Sequence, residues 1–481
     1  MSDAGLKALE DGLARDLAYL NYPPNNWVRP SHGPDGRPIF DVLVIGAGMC
    51  GLTAAFALRR AGIANIRVVD DSEPGFEGPW LTYARMNTLR SPKHLTGPAM
   101  GLPALTCRAW FEAQFGKAAW EELDKIPRTM WMDYLRWYRQ VLDLPVENGV
   151  TVRAIEPHGD LLDIKIDGAS EPCLARKVVL ANGRDGVGGL RIPPFAHRLP
   201  ASCWNHSKDD IDFDALIGKR VAVLGASASA CDNAAVALEA GAAEVHMFVR
   251  RPDLPRINKF KGVIYPGFTH GFPTLDDEWR WRLLHYALSQ GVAPPQDSML
   301  RLKCHDTFAL HLGSPWERVE AVGDEIEIET PKGVHRFDHL ILATGFTVDV
   351  DQRAELAGLT DKILVWGDRI DAPSDRTAQD LARFPYLGPA FEFLEKQPGT
   401  APALRHIHCF NYAATLSHGV VSGDIPNVSE GAQRMVEGIA RDFFAADRAY
   451  HFQQLQEYAE PELLGDEWVD ADAVPEDAAA G

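Results

Sequence analysis

Two glycine-rich turns contain the residues whose types and spacing point most clearly to chemistry. The first, Gly46-Ala47-Gly48-Met49-Cys50-Gly51, follows the apolar run Asp41–Ile45 and precedes a stretch with helical character. In such a turn Gly46 permits a tight bend, Gly48 lets a diphosphate approach the backbone, and Gly51 lets helix and strand pack closely. Free N–H groups at the start of the helix would bind the phosphates. We therefore predict that a dinucleotide binds at Gly46, Ala47, Gly48, Met49 and Gly51.

An acidic pair follows at the end of the next predicted strand. That strand, Ile66–Val69, leads into Asp70 and Asp71, and Asp70 stands 24 positions after Gly46. A carboxylate at this place accepts hydrogen bonds from the hydroxyl groups of a ribose. Strand, turn, helix, strand and acid thus fall in register, which favours dinucleotide binding over a chance glycine turn.

A second block near residue 220 repeats the arrangement. A predicted strand, Arg220–Leu224, precedes the turn Gly225-Ala226-Ser227-Ala228-Ser229-Ala230, and Arg250 stands 25 positions after Gly225. Alanine is an accepted third residue in such a turn, and the small Ser227 could bond a phosphate through its hydroxyl group. The second dinucleotide is therefore predicted to bind at Gly225, Ser227, Ser229 and Ala230.

The residues that close the two blocks distinguish the two cofactors. Arg250 and Arg251 follow the strand of the second block, where the first block has its acids. Arginines would bind the 2′-phosphate of NADPH through charge-assisted hydrogen bonds, whereas an acid would repel it. We therefore assign FAD to the first block and NADPH to the second. The alternative, that both arginines are ordinary surface residues, stays open.

Two further strands resemble each other and indicate how the chain is divided. Lys177–Leu180 runs into Ala181-Asn182-Gly183, and His339–Leu342 runs into Ala343-Thr344-Gly345. Glycine lets the backbone turn sharply or pass close to a ligand, so Thr344 and Gly345 are predicted to contact a cofactor. We interpret the two segments as the points where the chain leaves the first nucleotide domain and returns to it.

The predicted fold class is therefore α/β, with two Rossmann-like dinucleotide-binding domains and the NADPH domain inserted into the FAD domain. The predicted units are an N-terminal arm (1–37), the first part of the FAD domain (38–200), the NADPH domain with a helical excursion (201–338), the second part of the FAD domain (339–460) and a disordered acidic tail (461–481). The excursion contains a helix between Asp276 and Gln290, with acidic residues in its first turn.

Composition excludes several classes of protein. The 481 residues are 46% hydrophobic and 24% charged, which is typical of globular proteins, and the net charge is −19. An acidic surface repels phosphate backbones and anionic lipid, so neither nucleic acid nor a membrane is expected as a partner. Seven cysteines without a C-x-x-C pair argue against a metal cluster or a disulfide framework. The N-terminus lacks the apolar core of a signal peptide, and a cytoplasmic location is expected.

At this point the sequence resembles the flavoprotein monooxygenases that have two dinucleotide domains. These include Baeyer–Villiger, flavin-containing and lysine/ornithine N-hydroxylating enzymes. Besides the two turns, the segment Leu342–Phe346 looks like their Ala-Thr-Gly motif, and Asn411–Gly419 is similar to a C-terminal stretch that lies near the flavin in the N-hydroxylases. The Baeyer–Villiger signature F-x-G-x-x-x-H-x-x-x-W-P is absent, and the lysine/ornithine pattern is incomplete.

The resemblance also implies candidates for the site of oxygen chemistry. The loop from Trp80 to His94 resembles the segment that passes the flavin ring, so Trp80 is predicted to contact the cofactor. Polar residues that could line a dry site are Asn87, Arg90, Lys93, Asn411 and His418. Arg301 lies roughly where Baeyer–Villiger enzymes keep an active-site arginine, a match by neighbourhood only.

The function that this resemblance implies is an NADPH-dependent FAD monooxygenase. Such an enzyme inserts one oxygen atom of O₂ into a small organic substrate through a C4a-(hydro)peroxyflavin, and heteroatom oxygenation at nitrogen is favoured. Baeyer–Villiger chemistry, hydroxylation of a heterocycle such as urate, and NADPH oxidase or flavin reductase activity remain alternatives, as does a non-catalytic redox sensor. A disulfide reductase would need a cysteine pair beside the flavin, and Cys50 stands alone in its turn.

Overall fold

The helices and strands are taken from a computed structural model, which describes residues 3–33, 36–169 and 172–472. The helices within these ranges are α1 (Asp3–Tyr19), α2 (Met49–Arg60), α3 (Cys107–Glu122), α4 (Arg128–Val141), α5 (Ala228–Ala240), α6 (Pro266–Gly271), α7 (Asp277–Ser289), α8 (Gln296–Lys303), α9 (Arg376–Ala382), α10 (Thr415–His418), α11 (Val428–Ala446) and α12 (Arg448–Glu457). Within the described ranges, no helix has both the length and the apolar character needed to cross a membrane.

The strands of the described residues are two to eight residues long. They are β1 (Ile39–Ile45), β2 (Ile66–Val69), β3 (Val146–Glu147), β4 (Val152–His158), β5 (Leu161–Ile166), β6 (Cys173–Leu180), β7 (Gly188–Leu190), β8 (Trp204–His206), β9 (Arg220–Leu224), β10 (Glu244–Phe248), β11 (Phe308–His311), β12 (Arg318–Val322), β13 (Glu325–Thr330), β14 (Gly333–Phe337), β15 (His339–Leu342), β16 (Phe346–Val348) and β17 (Ile407–Cys409).

The first sheet holds the first glycine turn at the carboxyl end of its central strand. Its order is β3-β2-β1-β6-β5-β4, and β17 also pairs with β6. β1 runs parallel to both β2 and β6. Val42, Leu43 and Val44 are fully buried, as expected for a parallel strand that is covered on both faces. This explains why β1 reads as a continuous apolar run.

The second sheet repeats the plan with five parallel strands in the order β11-β10-β9-β15-β8. Helix α5 connects β9 to β10, as α2 connects β1 to β2. The antiparallel strands β12, β13 and β14 form a separate three-stranded sheet, and their apolar residues share a core with Phe248 and Leu340. The predicted α/β fold class is confirmed.

The chain order shows how the two sheets are connected. All strands of the second sheet lie between β6 and β17, which both belong to the first sheet. The second sheet is therefore inserted into the first unit. The predicted return at residue 339 is wrong by one strand, because β15 pairs with β9 and β8 in the second sheet. The two Ala-x-Gly segments resemble each other because β6 and β15 occupy equivalent positions in two similar sheets.

The remaining elements agree with the sequence pattern. Helix α7 occupies the predicted excursion, and the Asp276 carboxylate caps it by accepting a hydrogen bond from the Trp279 N–H at 2.8 Å. In the N-terminal arm, Leu13 and Leu17 of α1 are buried in the core of the first unit. Of the tail predicted to be disordered, residues 461–472 are exposed and form neither helix nor strand, and 473–481 lie outside the described residues.

Candidate cofactor and active site

The first glycine turn has the geometry that a bound diphosphate requires. Gly46 has φ +98°, and a Cβ there would lie 2.5 Å from the Ala181 carbonyl oxygen. A Cβ on Gly51 would lie 1.8 Å from the Gly46 carbonyl oxygen. A Cβ on Gly48 would meet nothing closer than Gly78, at 3.8 Å. The fold itself therefore requires Gly46 and Gly51, whereas Gly48 keeps a cradle open.

Helix α2 begins at this cradle with its N–H groups available. Gly48 is the N-cap residue, and no side chain caps the helix. Uncapped N–H groups and the positive end of the helix dipole attract phosphate. Met49 is the first residue of the helix. Its backbone N–H therefore has no partner within the helix and can donate to a phosphate.

Asp70 is built into the turn, and Asp71 is not. The Asp70 carboxylate is buried and accepts hydrogen bonds from the Ala47 N–H at 2.6 Å and the Ser72 N–H at 2.9 Å. Two N–H donors fix the carboxylate beside the glycine turn, where its remaining lone pairs can accept ribose hydroxyl groups. Asp71 is exposed, so the structure separates two residues that the sequence treated as a pair.

A cavity of about 480 Å³ opens beside this turn. Its walls include Ala47, Gly48, Glu77, Arg136 and Arg139. Arg139 is held by the buried carboxylate of Glu77 at 2.9 Å. Trp80 borders the same place, because its indole nitrogen would lie 3.7 Å from a Cβ on Gly78. The residues present fit the diphosphate and ribose of FAD.

The second turn has a similar backbone arrangement to the first, with different residues. A Cβ on Gly225 would lie 2.6 Å from the Ala343 carbonyl oxygen, which corresponds to the contact between Gly46 and Ala181. Ser227 is the N-cap residue of α5, but its hydroxyl group makes no capping bond. Ala230 is fully buried, and its methyl group would be 3.0 Å from a Cβ on Gly225. Ser229 uses its carbonyl group to accept a hydrogen bond from the Asn233 side chain.

The two arginines at the end of β10 differ in availability. Arg251 donates to the carbonyl oxygens of Gln290 and Ser289, at 2.9 and 3.2 Å, and so closes the C-terminal end of α7. Arg250 is exposed and makes no hydrogen bond or ion pair within the described residues. Partial burial and the charges of Arg376, Arg251 and Arg191 lower its pKa. A concentration of positive charge around a free guanidinium fits the 2′-phosphate of NADPH.

Thr344 and Gly345 lie beside the second turn. The Thr344 hydroxyl group donates to the Arg191 carbonyl oxygen, and the Gly345 carbonyl oxygen accepts from the Arg191 N–H at 3.0 Å. Gly345 has φ +78°, and open space lies where its side chain would be. Thr344 and Gly345 thus join the second sheet to the segment that follows β7. Gly345 also leaves room for a ligand.

Among the predicted catalytic residues, Asn87 and Arg90 have exposed side chains. Arg90 donates to the Ala293 carbonyl oxygen at 2.9 Å. Burial of its guanidinium group lowers the pKa of Arg90, and the positive charge of Arg184 lowers it as well. The negative charges of Asp232 and Asp424 oppose this shift. Asp232 belongs to α5, so Arg90 is close enough to this helix for their charges to interact.

Lys93 and Arg301 have structural partners, and their placement at the reaction site stays a prediction. Lys93 donates to the carbonyl oxygens of Trp120 and Leu123 at the end of α3, at 2.6 and 2.5 Å. Arg301 forms a bidentate pair with Glu239 of α5, at 2.8 and 2.7 Å. Both side chains join elements of the fold, because their donors are already used.

Asn411 and His418 are buried, and their placement at the reaction site also stays a prediction. The Asn411 amide donates to the Asn182 side chain at 3.0 Å and to the Leu180 carbonyl oxygen at 3.2 Å. His418 stacks on Phe391 with 3.7 Å between ring centroids. Burial lowers the pKa of His418 to about 3, so its imidazole is neutral at physiological pH. The stretch that resembled a flavin-side motif packs inside the first unit.

The structure reveals a cation that the sequence argument missed. Arg184 is exposed, and its guanidinium carbon lies 4.1 Å from the ring centroid of Tyr412. It makes no hydrogen bond or ion pair within the described residues. Arg184 follows Ala181-Asn182-Gly183 at the end of β6, so its position after an Ala-x-Gly segment was the one available signal.

Comparison with known proteins places this geometry in a family. The model of the family described as pyridine nucleotide-disulphide oxidoreductase matches residues 43–277. A protein from Xanthomonas campestris pv. campestris described as an FAD-dependent urate hydroxylase is 42% identical over 462 residues, covering 96% of this chain and 98% of that protein.

Solved structures show the same fold at lower identity. The ornithine hydroxylase of Pseudomonas aeruginosa superposes with a TM-score of 0.65 at 16% identity, over 84% of this chain and 99% of that one. A flavin-containing monooxygenase from Stenotrophomonas maltophilia gives 0.56 at 19% identity, over 84% and 98%. At such identities the likeness concerns the fold.

The chain belongs to the two-dinucleotide-domain flavoprotein monooxygenases, in the family that includes the Xanthomonas urate hydroxylase. The predicted class of enzyme, an FAD- and NADPH-dependent monooxygenase, is confirmed. All seven cysteines are free in the structure. Burial also raises the pKa of Cys50, in the first turn, to about 12.

Proposed function

We propose that this enzyme hydroxylates urate or a closely related purine anion. The observation that carries the proposal is the 42% identity to the urate hydroxylase along nearly the full length of both chains. A shared length of this kind includes both glycine turns. Urate hydroxylation was one alternative left open by the sequence, and it now becomes the first choice.

Two arginines and an aromatic ring form a group suited to an anionic, aromatic heterocycle. Arg184 presents an unpaired guanidinium over the face of Tyr412, and Arg90 lies close enough for the two charges to interact. Guanidinium groups bind planar anions through paired donors, and an aromatic ring offers a face for stacking. We assign Arg90 and Arg184 to substrate binding.

Asp232, which is close enough to Arg90 for their charges to interact, is a candidate for holding a proton. Burial raises the pKa of its carboxyl group, and the Ser298 hydroxyl group, Arg301 and Arg90 oppose that shift. The Ser298 hydroxyl donates to Asp232 Oδ1 at 2.5 Å, and the Arg301 guanidinium lies 3.7 Å from the same atom. These contacts orient the carboxyl group.

The first turn would hold FAD and the second NADPH, and together these cofactors supply reducing electrons and activate O₂ for transfer of one oxygen atom. The chain orients them through the uncapped starts of α2 and α5 and through Asp70 and Arg250. The seven free cysteines support the reducing cytoplasm as the location.

Oxygenation at nitrogen, which the sequence favoured, has lost its main argument. That preference rested on the His-Gly stretch and on the absent Baeyer–Villiger signature, and His418 of the His-Gly stretch is buried against Phe391. A Cβ on Gly419 would lie 3.2 Å from Phe272, so the stretch is part of the packed interior. A primary amine such as ornithine therefore serves as the comparison substrate.

The test is NADPH oxidation by the flavin-loaded enzyme with urate, ornithine, a sulfide and a ketone, with hydrogen peroxide and oxygenated product measured together. Urate is expected to accelerate NADPH oxidation and to yield product with one added oxygen atom. Acceleration by ornithine alone, with hydroxylated amine formed, would overturn the proposal. NADPH oxidation that yields only peroxide with every compound would also overturn it.

A pair of variants tests the assignment of the substrate-binding cation. Arg184→Met should raise the KM for urate by about 10- to 100-fold, the loss expected for one charge-assisted contact, and leave flavin content unchanged. Arg153→Met is the matched control, because Arg153 is an exposed residue of β4 that pairs with Asp167. An unchanged KM in Arg184→Met would remove Arg184 from the urate site.

A further inference from the structure

Three histidines converge at the contact between the second sheet and the three-stranded sheet. His246 lies on β10, His311 on the neighbouring β11 and His335 on β14. One ring nitrogen from each lies within 4.8 Å of the others. His311 Nε2 and His246 Nδ1 are 3.0 Å apart. Three strands that are distant in sequence thus bring three imidazoles to one point.

One ring nitrogen of the cluster lacks a partner. His335 Nε2 is buried and makes no hydrogen bond within the described residues. A buried nitrogen without a partner costs free energy, and a bound metal ion would satisfy such an atom.

The surroundings hold the rings in place. Glu244 Oε2 lies 3.6 Å from His246 Nε2, which is the ring nitrogen directed away from His311. A carboxylate at the far nitrogen of a histidine is the usual outer contact of a zinc ligand, where it fixes the tautomer and the ring orientation. His311 stacks on Phe248 at 4.5 Å with 8° between the planes.

We propose that His246, His311 and His335 bind one divalent transition-metal ion, with zinc as the best fit, and that the ion fastens the three-stranded sheet to the second sheet. Zinc accepts three imidazoles with water in the fourth position, at Zn–N distances of about 2.0–2.1 Å. At that length two ligand nitrogens stand roughly 3.3 Å apart. The pair at 3.0 Å already fits, and His335 needs a side-chain adjustment.

The ion would reinforce a contact that already has an apolar core. Phe337 joins the shared core, and Arg220 pairs with Glu325 at 2.6 Å and with Asp338 at 2.5 Å on one flank. His335 lies on β14 near Phe337, so coordination would add a cross-link there. The site is structural, because its ligands lie on strands of the second sheet and the small sheet.

The experiment is equilibrium dialysis of the flavin-loaded enzyme against Zn²⁺, followed by elemental analysis. The exposed thiol of Cys304 is first removed by Cys304→Ser to avoid zinc binding there. We expect about one zinc per chain in this background. His335→Ala should weaken binding by at least about 100-fold, and Glu244→Gln by about 10-fold.

His158→Ala is the matched control. His158 is a half-exposed histidine on β4, and it pairs with Asp163 on the neighbouring β5. It should bind zinc as the Cys304→Ser background does. Equal zinc binding by His335→Ala and the control would overturn the proposal, as would the absence of stoichiometric zinc in the background protein.

Hydrogen exchange provides a readout that does not depend on His335→Ala folding fully. Zinc should slow amide exchange in β12–β14 of the Cys304→Ser protein relative to a chelator-treated sample. The slowing should be smaller in Glu244→Gln, which keeps all three ligands. Identical exchange with and without zinc in the Cys304→Ser protein would refute the cross-link.

Discussion

The two glycine turns of this enzyme reach one backbone arrangement by different means. In each unit the carbonyl oxygen that follows the neighbouring strand packs against the first glycine, Ala181 on Gly46 and Ala343 on Gly225. At the third position the units differ, because a Cβ on Gly51 would enter the Gly46 carbonyl group, whereas Ala230 fits its own turn. A glycine pattern therefore contains positions that the fold demands and positions that only the ligand demands.

The two units also differ in how the residue at the end of the second strand is used. Asp70 is buried and bonds to the Ala47 N–H, so it belongs to the turn as much as to a ribose site. Arg250 occupies the equivalent place and makes no hydrogen bond within the described residues. The first unit holds its ligand-binding charge in a fixed position, and the second leaves it free for a phosphate.

The largest effect is expected from exchanging the third residues of the two turns. Gly51→Ala should abolish flavin binding or folding, because its Cβ would lie 1.8 Å from a backbone oxygen. Ala230→Gly should change KM for NADPH by less than about threefold, because it removes only one methyl group. Flavin content and the KM for NADPH measure the two outcomes. A Gly51→Ala protein with full flavin content would show that the turns are interchangeable.

Removing the charge of Asp70 should have the next largest effect. Asp70→Asn should weaken FAD binding by about 10- to 100-fold, since one charge-assisted contact is lost and the Ala47 N–H loses a carboxylate partner. Asp71→Asn is the control, because Asp71 is exposed, and it should bind FAD normally. Fluorescence titration of the apoprotein with FAD gives both dissociation constants. Equal weakening in the two variants would contradict the separation of Asp70 from Asp71.

The arginine pair should show a smaller and selective effect. Arg250→Ala should raise the KM for NADPH by about tenfold or more and leave that for NADH nearly unchanged, because only the 2′-phosphate contact is lost. Arg251→Ala should mainly lower thermal stability, since Arg251 bonds to the end of α7. Steady-state kinetics with both nucleotides and thermal unfolding separate the roles. If Arg251→Ala alone changes the nucleotide preference, the assignment is reversed.

The smallest effect is expected at Ser227. Ser227→Gly should change the KM for NADPH by less than about threefold, since the hydroxyl group makes no capping bond and glycine is well tolerated at an N-cap. The corresponding exchange in the first unit, Gly48→Ser, should lower flavin affinity strongly, because the side chain enters the open cradle. A large rise in KM for Ser227→Gly would show that the hydroxyl group binds a phosphate.

The sequence predicted the local parts of this molecule well. The turns, α2, α5, β2 and the helix at Asp276 were all found, because each depends on residues that are close in the chain. The return point at residue 339 was misplaced, since an apolar strand does not reveal which of two similar sheets it joins. Strand pairing is a long-range property, and equivalent strands of duplicated sheets carry equivalent patterns.

The candidate catalytic residues were the least predictable part. Lys93, Arg301, Asn411 and His418 are chemically capable residues that the fold uses for capping, pairing and packing. A polar residue type indicates what a side chain can do, whereas its partners decide whether it is available. Arg184 escaped notice for the complementary reason, because its freedom and its position over Tyr412 become visible only when β6 and the C-terminal segment meet.

The sequence by itself determined two dinucleotide units, their order in the chain and the charge at the end of each, because glycine spacing, strand apolarity and the terminal acid or arginine are local properties. Tertiary structure alone decided which strand belongs to which sheet, which of Asp70, Asp71, Arg250 and Arg251 are free or fixed, and which of the other polar groups already have partners. The same holds for the three histidines, which come from three strands and lie 24 or more positions apart in sequence. Proximity of this kind is created by the packing of sheets, so no local pattern of residues records it.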